Sequence, residues 1–236
     1  MDVITDLHQH VLWGLDDGPS KPETTYAMLH EAHDQQISRI FATPHACPGL
    51  EPFDKGLYRE RLAQAQQYCR EHKLNLTLLP GAEIAWSYNT LAALRQGHVP
   101  TLGDGDHALI ELWPNVTWPE VQDIAQQLLR AFYTPVFAHV ERYRCFVWQP
   151  ETAIRLREEL SVCYQLNASS VLDHTGPMTR RFVSRMLGAQ ALDAVASDAH
   201  NCTSRPQRLA QAYEELINRC GNEYAAKLVS FQGART

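Results

Sequence analysis

The sequence lacks any run of about 20 apolar residues, the length that a helix needs to cross a bilayer. This absence argues against insertion into a membrane, since even long apolar stretches such as "LTLLPGAEIAW" at 76–86 stop well short of it. The first residues, "MDVITDL", also lack the basic and apolar segments of a secretory signal peptide. We therefore expect a cytoplasmic protein.

Runs of lysine or arginine are missing as well, and the net charge is −6 with a pI near 6.0. A nucleic-acid partner is not favoured, because the phosphate backbone is normally bound by a basic surface.

The six cysteines form no C-x-x-C pair, so we expect reduced thiols rather than a disulfide framework. The oligomeric state is left open, with a homo-oligomer among the alternatives.

What is present is an ordinary globular composition, with 44% hydrophobic and 20% charged residues in 236. No repeat, low-complexity segment or flexible linker divides the chain, so we expect a single domain over residues 1–236. Short apolar runs alternate with helical patterns. Strands are predicted at 3–8, 39–45, 74–84, 107–112, 134–141, 163–169 and 193–200. Helices are predicted at 22–36, 57–73, 118–132, 150–160, 178–190 and 205–220.

Seven strand–helix alternations indicate an α/β protein with a mainly parallel sheet. Seven units are able to close into a barrel, but an open doubly wound sheet would have the same alternation. The first helix has Pro22 at its start, and Ser20 and Glu23 have the spacing of a capping box.

Histidines and carboxylates follow nearly every predicted strand, at the edge where α/β proteins build their active sites. The chain offers no cysteine at these positions, and mixed His, Asp and Glu ligands suit Mn, Fe, Zn or Co better than Mg. Nine such residues exceed the needs of one ion, so two or three ions with a bridging carboxylate are expected. Multi-metal sites of this kind activate water for hydrolysis. The nine residues are His8, His10, Asp17, His45, Glu83, Glu111, His139, Asp198 and His200.

Several of these residues stand in recognisable motifs that keep their order from residue 6 to about residue 206. They are "DLHQH", "DDGP", "ATPH", "PGAEI", "ALIEL", "TPVFAHVERY", "LNASS" and "ASDAHN…RP". Together they resemble the PHP (polymerase and histidinol phosphatase) superfamily, and more closely its bacterial tyrosine-protein phosphatases of capsule and exopolysaccharide loci. The "DDGP" and "HVERY" segments exceed what the superfamily requires.

The resemblance implies a distorted (β/α)7 TIM-like barrel, the PHP fold, with a centre of three divalent metal ions, Mn foremost. It places His8, His10, Glu83 and Asp198 on the first metal, and has Glu83 bridge to a second metal on Glu111 and His139. Asp17, His45 and His200 would hold the third. In many PHP relatives the positions of Asp17 and Glu111 are histidines. The implied activity is hydrolysis of phosphotyrosine on the tail of a bacterial tyrosine autokinase that controls polysaccharide assembly.

Two arginines follow ligand-bearing strand ends and are candidates for contacts to phosphate oxygens, Arg142 in "HVERY" and Arg205 in "NCTSRP". His200 is a candidate for assisting the departure of the phenolate. A phenolate has a pKa of ~10 and leaves readily, so a dedicated general acid is dispensable.

A cysteine mechanism is the first alternative, because Cys202 and Arg208 have C-x5-R spacing. The intervening loop has no glycine, and Pro206 removes one N–H, so it is poorly suited to cradle phosphate.

Asp16 has two interpretations, as a turn residue or as a partner of a metal ligand. The remaining histidines, His30, His33, His72, His98, His107 and His174, are predicted to be surface or capping residues. The aromatic residues near the predicted mouth are interpreted as rim or core packing residues, with a wall for the phosphotyrosine ring as the alternative: Trp86, Tyr88, Trp113 and Trp118.

Three other functions compete with the leading one. A small-molecule phosphomonoesterase such as histidinol-phosphate phosphatase is the main alternative, and it would need longer loops over the site than the mostly short connections here. A PHP nuclease is disfavoured by the acidic charge. An inactive metal-stabilised module would be expected to lack ligands, and all nine positions are filled.

Overall fold

The computed structural model of the chain describes residues 3–172 and 175–231. Its strands are β1 (Ile4–Gln9), β2 (Ile37–Ala42), β3 (His45–Ala46), β4 (Thr77–Pro80), β5 (Glu83–Ala85), β6 (His107–Glu111), β7 (Thr134–Phe137), β8 (Cys163–Asn167) and β9 (Ala194–Ala196). Its α-helices are α1 (Pro22–Asp34), α2 (Lys55–Glu71), α3 (Thr90–Arg95), α4 (Trp118–Arg130), α5 (Arg144–Trp148), α6 (Pro150–Glu159), α7 (Ala168–Val171), α8 (Pro177–Gly188), α9 (Leu209–Cys220) and α10 (Asn222–Leu228).

Two of the seven predicted strands are each broken into two segments. The strand predicted at 39–45 becomes β2 and β3, which are separated by Thr43 and Pro44, and proline cannot donate to a strand ladder. The strand predicted at 74–84 becomes β4 and β5, with Gly81 in the break. A Cβ atom at Gly81 would lie 2.9 Å from the Thr43 side chain, so the close approach of the two breaks requires glycine.

All strand pairs in the described residues are parallel. One sheet has the order β1-β2-β4 and the other has the order β3-β5-β6-β7-β8-β9. The chain passes from one sheet to the other at the two broken strands. Beside these breaks the backbone N–H of Glu83 donates to the carbonyl of Pro44 at 3.1 Å. Their far edges also meet, since Gln9 at the end of β1 forms a parallel bridge with Ala199, just after β9. The architecture is a mixed α/β fold with a curled parallel sheet.

A buried cluster inside the curl demonstrates the curvature. Leu7 of β1, Phe41 of β2, Leu109 of β6 and Val136 of β7 belong to one cluster of fully buried side chains. The neighbours β1 and β2 are separated from the neighbours β6 and β7 by other strands in the pairing order, so a flat sheet would not bring all four side chains together. A larger cluster lies between the outer face of the sheet and the helices, and contains residues of α1, α2, α4, α8, α9 and α10.

Helix α4 illustrates why these segments form an outer layer. Its buried residues are Val121, Ile124, Ala125 and Leu128, the spacing of one apolar stripe on a helix. A capping box formed by Thr117 and Glu120 closes its first turn. The capping box predicted for α1 is wrong: that helix begins at Pro22 as expected, but its N-cap is Lys21, which provides no side-chain cap.

Four short helices, α3, α5, α7 and α10, were not predicted, because segments of four to seven residues carry too little periodicity to be recognised. No helix among the described residues is both long and apolar enough to cross a membrane. All six cysteines are unpaired, which confirms the prediction of free thiols.

Candidate metal centre

A one-residue bulge in β1 turns the side chain of His8 toward the interior of the curled sheet. Asp6 pairs with Ile40 and Gln9 pairs with Ala42, so β1 has one residue more than β2 between these positions. A bulge of this kind interrupts the alternation of side chains between the two faces. Consecutive residues therefore reach the interior of the curl: Leu7 joins the buried apolar cluster, and His8 lies beside Glu83.

Glu83 is the hub of the site, and four imidazoles surround its buried carboxylate. Its Oε2 lies 3.3 Å from Nε2 of His8, 3.2 Å from Nε2 of His10 and 3.0 Å from Nδ1 of His45. Its Oε1 lies 2.7 Å from Nε2 of His139. The sequence predicted that side chains from β1, β3, β5 and the end of β7 would converge, and they do.

Three groups of side chains have ligand atoms close enough to share a cation. Their members are His8, His10 and Asp198; His10, Asp17, His45 and His200; and His45, Glu83 and Glu111. These groups contain eight of the nine residues that the sequence pointed to. The ninth, His139, lies within 2.7 Å of Glu83 and 3.7 Å of Glu111. The fold thus brings all nine predicted residues to one edge of the sheet.

The chemistry of this donor set fits divalent cations. Nε2 of His8 and Nε2 of His10 face each other at 3.2 Å. When each ring carries its proton on Nδ1, where Gln165 and Asp16 accept it, neither Nε2 has a proton to share. Nε2 of His200 is buried without a hydrogen-bond partner and lies 3.1 Å from Oδ1 of Asp17. His139 and Asp198 adopt left-handed backbone conformations, with φ of 32° and 53°. Strained backbone of this type is common at functional sites.

The buried carboxylates of the site favour positive charge beside them. Burial opposes protonation of His8, but Glu83 and Asp198 outweigh it and raise the pKa of His8 to about 9. The pKa of His45 is likewise raised to about 9, against its burial, chiefly by Glu83. Burial also opposes the ionisation of Glu83, yet the neighbouring histidines hold the pKa of this carboxyl well below its usual range. Protons or metal cations are therefore strongly attracted to the centre.

Two residues outside the nine orient the ligands. Oδ2 of Asp16 lies 2.6 Å from Nδ1 of His10 and accepts a hydrogen bond of 3.0 Å from the backbone N–H of His45. Asp16 thus contacts a predicted ligand, and it is also a turn residue, because its Oδ1 accepts a 2.9 Å hydrogen bond from the backbone N–H of Gly18. Oε1 of Gln165 lies 3.2 Å from Nδ1 of His8 and accepts a 2.7 Å bond from the backbone N–H of His139. Gln165 was not among the predicted residues, although a glutamine between Tyr164 and Leu166 in an apolar strand is a usable signal.

The two predicted arginines both reach Asp198. Nη2 of Arg142 donates to Oδ2 of Asp198 at 2.6 Å, and Nη2 of Arg205 donates to Oδ1 at 3.1 Å. Nη1 of Arg205 also donates to Asp17 at 3.1 Å. The side-chain amide of Asn167 adds a third hydrogen bond to Asp198, 2.8 Å long, to Oδ2. The guanidinium groups thus stand directly beside two of the predicted ligands.

Two cavities flank the centre. The first, of about 300 Å³, is lined by Arg142, Arg205, Arg208 and Asp198 among others. The second, of about 530 Å³, shares its wall with the predicted ligands Asp17, His45 and Glu111 and also contains Phe53 and Cys47. Both cavities open at the edge of the sheet where the polar residues meet.

The aromatic residues near the mouth divide into two kinds. Trp118 packs against Phe146 with a centroid distance of 4.6 Å, and Trp86 packs against the main core. Tyr88 and Trp113 are 92% and 41% exposed, so these two are not core residues.

The cysteine alternative finds little support in the structure. Partial burial and the nearby Glu31 raise the pKa of the Cys202 thiol to about 11, so it is protonated at neutral pH. A nucleophilic cysteine needs the opposite shift. Five of the six histidines predicted to be surface or capping residues are described, and none of the five belongs to the three groups above. His174 lies outside the described residues.

Comparison with known proteins agrees with this geometry. The profile of the family described as capsular polysaccharide synthesis, CpsB/CapC, matches residues 4–235. Tyrosine-protein phosphatase CpsB from Streptococcus pneumoniae is 29% identical over 232 residues, which cover 95% of this chain and 94% of that protein. Tyrosine-protein phosphatase YwqE from Bacillus subtilis is 29% identical over 224 residues, or 93% and 86% of the two chains.

Similarity to solved structures agrees with the similarity in sequence. A chain from a study of YwqE from Bacillus subtilis and CpsB from Streptococcus pneumoniae, described as unique metal-dependent tyrosine phosphatases, superposes with a TM-score of 0.87. It is 27% identical, and the match covers 98% of this chain and 96% of that one. Histidinol phosphate phosphatase from Lactococcus lactis is similar in fold alone, with a TM-score of 0.59 at 18% identity over 92% and 94% of the two chains. The predicted resemblance to tyrosine phosphatases of capsule loci is confirmed.

Proposed function

The chain belongs to the family described as capsular polysaccharide synthesis, CpsB/CapC, and we propose that it is a metal-dependent protein-tyrosine phosphatase. The observation that carries the proposal is the ring of four imidazoles around the Glu83 carboxylate, with Arg142 and Arg205 beside it. Relatives that match over nearly their whole length are named tyrosine-protein phosphatases. The enzyme class is phosphoric monoester hydrolase.

The finer fold that we propose is a distorted (β/α)7 barrel formed by one domain over residues 1–236. When β2 with β3 and β4 with β5 are each counted as one broken strand, the sheet has seven strands. Backbone contacts between β1 and the segment after β9 support closure of the sheet into a barrel. There His10 N–H donates to the Ala199 carbonyl and Asp198 N–H donates to the His8 carbonyl, both at 2.9 Å.

The ligand assignment that we propose has three divalent ions. His8, His10, Glu83 and Asp198 would hold the first, Glu83, Glu111 and His139 the second, and Asp17, His45 and His200 the third. Two of the three groups of nearby ligand atoms support the first and third sets, since they contain His8, His10 and Asp198, and Asp17, His45 and His200. The remaining group joins Glu83 and Glu111 to His45. His139 is placed on the second ion because it lies 2.7 Å from Glu83 and 3.7 Å from Glu111. Mn²⁺ is the favoured ion, with Fe, Zn or Co as alternatives, because imidazole and carboxylate ligands are mixed. When bound, such ions lower the pKa of a coordinated water and neutralise the phosphate oxygens.

The protein's own groups then bind and orient the substrate. The forked guanidinium groups of Arg142 and Arg205 are suited to two-point contacts with the phosphoryl oxygens. Nδ1 of His200 lies 3.0 Å from the backbone carbonyl of Asp198, which leaves Nε2 without a proton and directed at Asp17. This tautomer suits a metal ligand better than a proton donor. The phenolate, with a pKa of ~10, leaves without a dedicated acid.

The substrate class follows from the same family. We extend the proposal to a phosphotyrosine-bearing protein in the cytoplasm, specifically a bacterial tyrosine autokinase that regulates capsular or extracellular polysaccharide synthesis. The family description and the names of the relatives support this extension. The openness of both cavities toward solvent suits a protein substrate, since the phosphorylated side chain of a polypeptide must reach the centre from outside.

The test is a comparison of phosphate release from a phosphotyrosine peptide and from histidinol phosphate, with Mn²⁺ present and at matched substrate concentrations. We expect kcat/KM to be higher for the peptide. His8→Ala serves as the inactive control, because it removes a side chain from the centre without changing the outer surface. Equal or better turnover of histidinol phosphate would overturn the proposal in favour of a small-molecule phosphatase.

A further inference from the structure

Three exposed apolar side chains stand beside the centre, and we call them the apolar row. Leu50 is 83% exposed, Tyr88 is 92% exposed and Trp113 is 41% exposed. They follow β3, β5 and β6, three consecutive strands of the sheet that each carry one predicted ligand. Scattered apolar residues on a surface need no explanation, but a group of them at a predicted active site points to an interaction surface.

The segments that carry the first two members of the row are in direct contact. The hydroxyl of Ser87, beside Tyr88, donates to the carbonyl of Pro48 at 2.6 Å. Gly49 has a φ of 88°, and a Cβ atom there would overlap the side chain of Asn89. The close approach of the two segments therefore requires glycine at this position.

The third member of the row is held against the second. The backbone N–H of Trp86 donates to the carbonyl of Glu111 at 2.9 Å, which joins the segment after β5 to the segment after β6. The buried hydroxyl of Tyr143 accepts a 2.9 Å bond from the N–H of Leu112, the residue before Trp113. Because the backbone of the row is already anchored, ordering it on binding costs little.

The row borders the larger of the two cavities without lining it. That cavity, of about 530 Å³, is lined by Glu51, which follows Leu50, and by Glu111, two positions before Trp113. Neighbouring strands lie ~4.8 Å apart, so three consecutive strand ends span ~10 Å. About three residues of an extended polypeptide, at ~3.3 Å each, cover the same length. The row thus matches a short segment of polypeptide in length.

We infer that the apolar row binds the polypeptide that flanks the phosphotyrosine, and that it favours an apolar side chain two to four residues away. The inference rests on the proposed function and adds a specificity determinant outside the metal centre. Both cavities open at this edge, so a protein substrate passes the row on its way to the centre. A second copy of the chain seated on the row would obstruct that entry, which favours the substrate as its occupant.

The experiment uses the Mn²⁺-loaded full chain and three substrates. Two are phosphotyrosine peptides of one sequence, with either leucine or serine at the second to fourth positions from phosphotyrosine, on each side in turn. The third is p-nitrophenyl phosphate, which has a ring and a phosphate but no flanking chain. For the native chain we expect KM to be about three- to tenfold lower for the leucine peptide, from partial burial of apolar surface. Fluorescence polarisation with non-hydrolysable phosphonate analogues of both peptides measures binding directly.

The double variant Leu50→Ser, Tyr88→Ser is expected to remove the difference in KM between the two peptides, and Trp113→Ser to reduce it. Neither variant should raise KM for p-nitrophenyl phosphate by a similar factor. Phe132→Ser is the matched control, because Phe132 is 88% exposed but lies between α4 and β7, before a strand rather than after one. This control should retain the native preference. Thermal unfolding of each variant verifies that it is folded.

Three results would overturn the inference. The first is a native chain that has the same KM for both peptides and binds their analogues equally. The second is a rise in KM for p-nitrophenyl phosphate in the double variant that equals the rise for the leucine peptide, because the row would then contact the ring itself. The third, from sedimentation velocity, is a native oligomer that the double variant dissociates while the preference for leucine persists, which would assign the row to a second copy of the chain.

Failure of the proposed function is a distinct outcome, in which the native chain hydrolyses neither phosphotyrosine peptide.

Discussion

Oδ2 of Asp16 lies 2.6 Å from Nδ1 of His10, while Nε2 on the other side of the same ring lies 3.2 Å from Glu83. A carboxylate on one nitrogen of an imidazole fixes its tautomer and leaves the other nitrogen free to bind a metal. The same Asp16 oxygen accepts the backbone N–H of His45, so one carboxylate positions two of the predicted ligands. This relationship explains why two aspartates stand together in "DDGP": Asp16 orients histidines, and Asp17 faces His200 at 3.1 Å.

Asp16→Asn is therefore expected to weaken metal binding. Loss of a partner that orients a metal-ligating histidine typically lowers metal affinity about 10- to 100-fold. The measurement is a titration of the metal-free chain with Mn²⁺, followed by electron paramagnetic resonance of the free ion. Asp123→Asn, an exposed position on α4, is the matched control. An Asp16→Asn variant with native Mn²⁺ affinity would show that Asp16 is only a turn residue.

Gln165→Leu is expected to destabilise the fold. Leucine has a similar volume but accepts no hydrogen bond, so the backbone N–H of His139 and Nδ1 of His8 would be buried without their partner. Leaving a buried donor unsatisfied costs about 1–3 kcal/mol. Urea unfolding of the metal-free chain measures the change in the free energy of unfolding, with the exposed Gln122→Leu as control. Equal stability of Gln165→Leu and the native chain would contradict this role.

The arginines are expected to act on the phosphoryl group. Arg142→Ala and Arg205→Ala should each lower kcat/KM for a phosphotyrosine peptide by about 10²-fold, the typical effect of removing one donor to developing negative charge. Arg142→Lys should recover only part of the loss, because an ammonium group lacks the fork. Arg144→Ala, a nearby exposed arginine, is the control. Bound Mn²⁺ is quantified in each variant, because both side chains also contact Asp198. A native value of kcat/KM in both alanine variants would show that neither arginine acts on the phosphoryl group.

Cys202→Ser is expected to keep full activity. The thiol is protonated at neutral pH and stands beside Glu31 rather than in a phosphate-binding loop. Steady-state hydrolysis of a phosphotyrosine peptide by Cys202→Ser and by His8→Ala distinguishes the two mechanisms. A cysteine mechanism requires the reverse result, with activity lost in Cys202→Ser and retained in His8→Ala.

The sequence predicted all seven strand regions and the convergence of the nine polar residues, because both depend on patterns along the chain. Apolar runs mark the strands, and parallel strands place their carboxyl ends at one edge. The breaks after β2 and β4 were missed although Pro44 and Gly81 are local signals for them. The sequence does not show that the two breaks lie side by side, which brings together Thr43 and Gly81, residues 38 positions apart. The β1 bulge at residues 7 and 8 was missed for a similar reason, since register is a property of two strands.

The partners of the proposed ligands were harder to predict than the convergence of the proposed ligands. Gln165 reaches His8 across 157 positions of sequence, and no local pattern connects the two. The capping box was assigned to Ser20 and Glu23 by spacing alone, whereas α1 begins with Lys21 as its N-cap. The real capping box, at Thr117 and Glu120, has the same spacing. Short motifs of this kind need the surrounding structure to tell them apart.

The most direct test of the account is phosphate release from a phosphotyrosine peptide by one preparation of the native chain in three states: as purified, after complete chelation, and after Mn²⁺ is restored. The nine convergent histidines and carboxylates predict that hydrolysis is lost on chelation and returns with Mn²⁺, and that His8→Ala stays inactive in all three states. Hydrolysis that continues at its initial rate in the fully chelated protein would contradict a metal-dependent phosphatase.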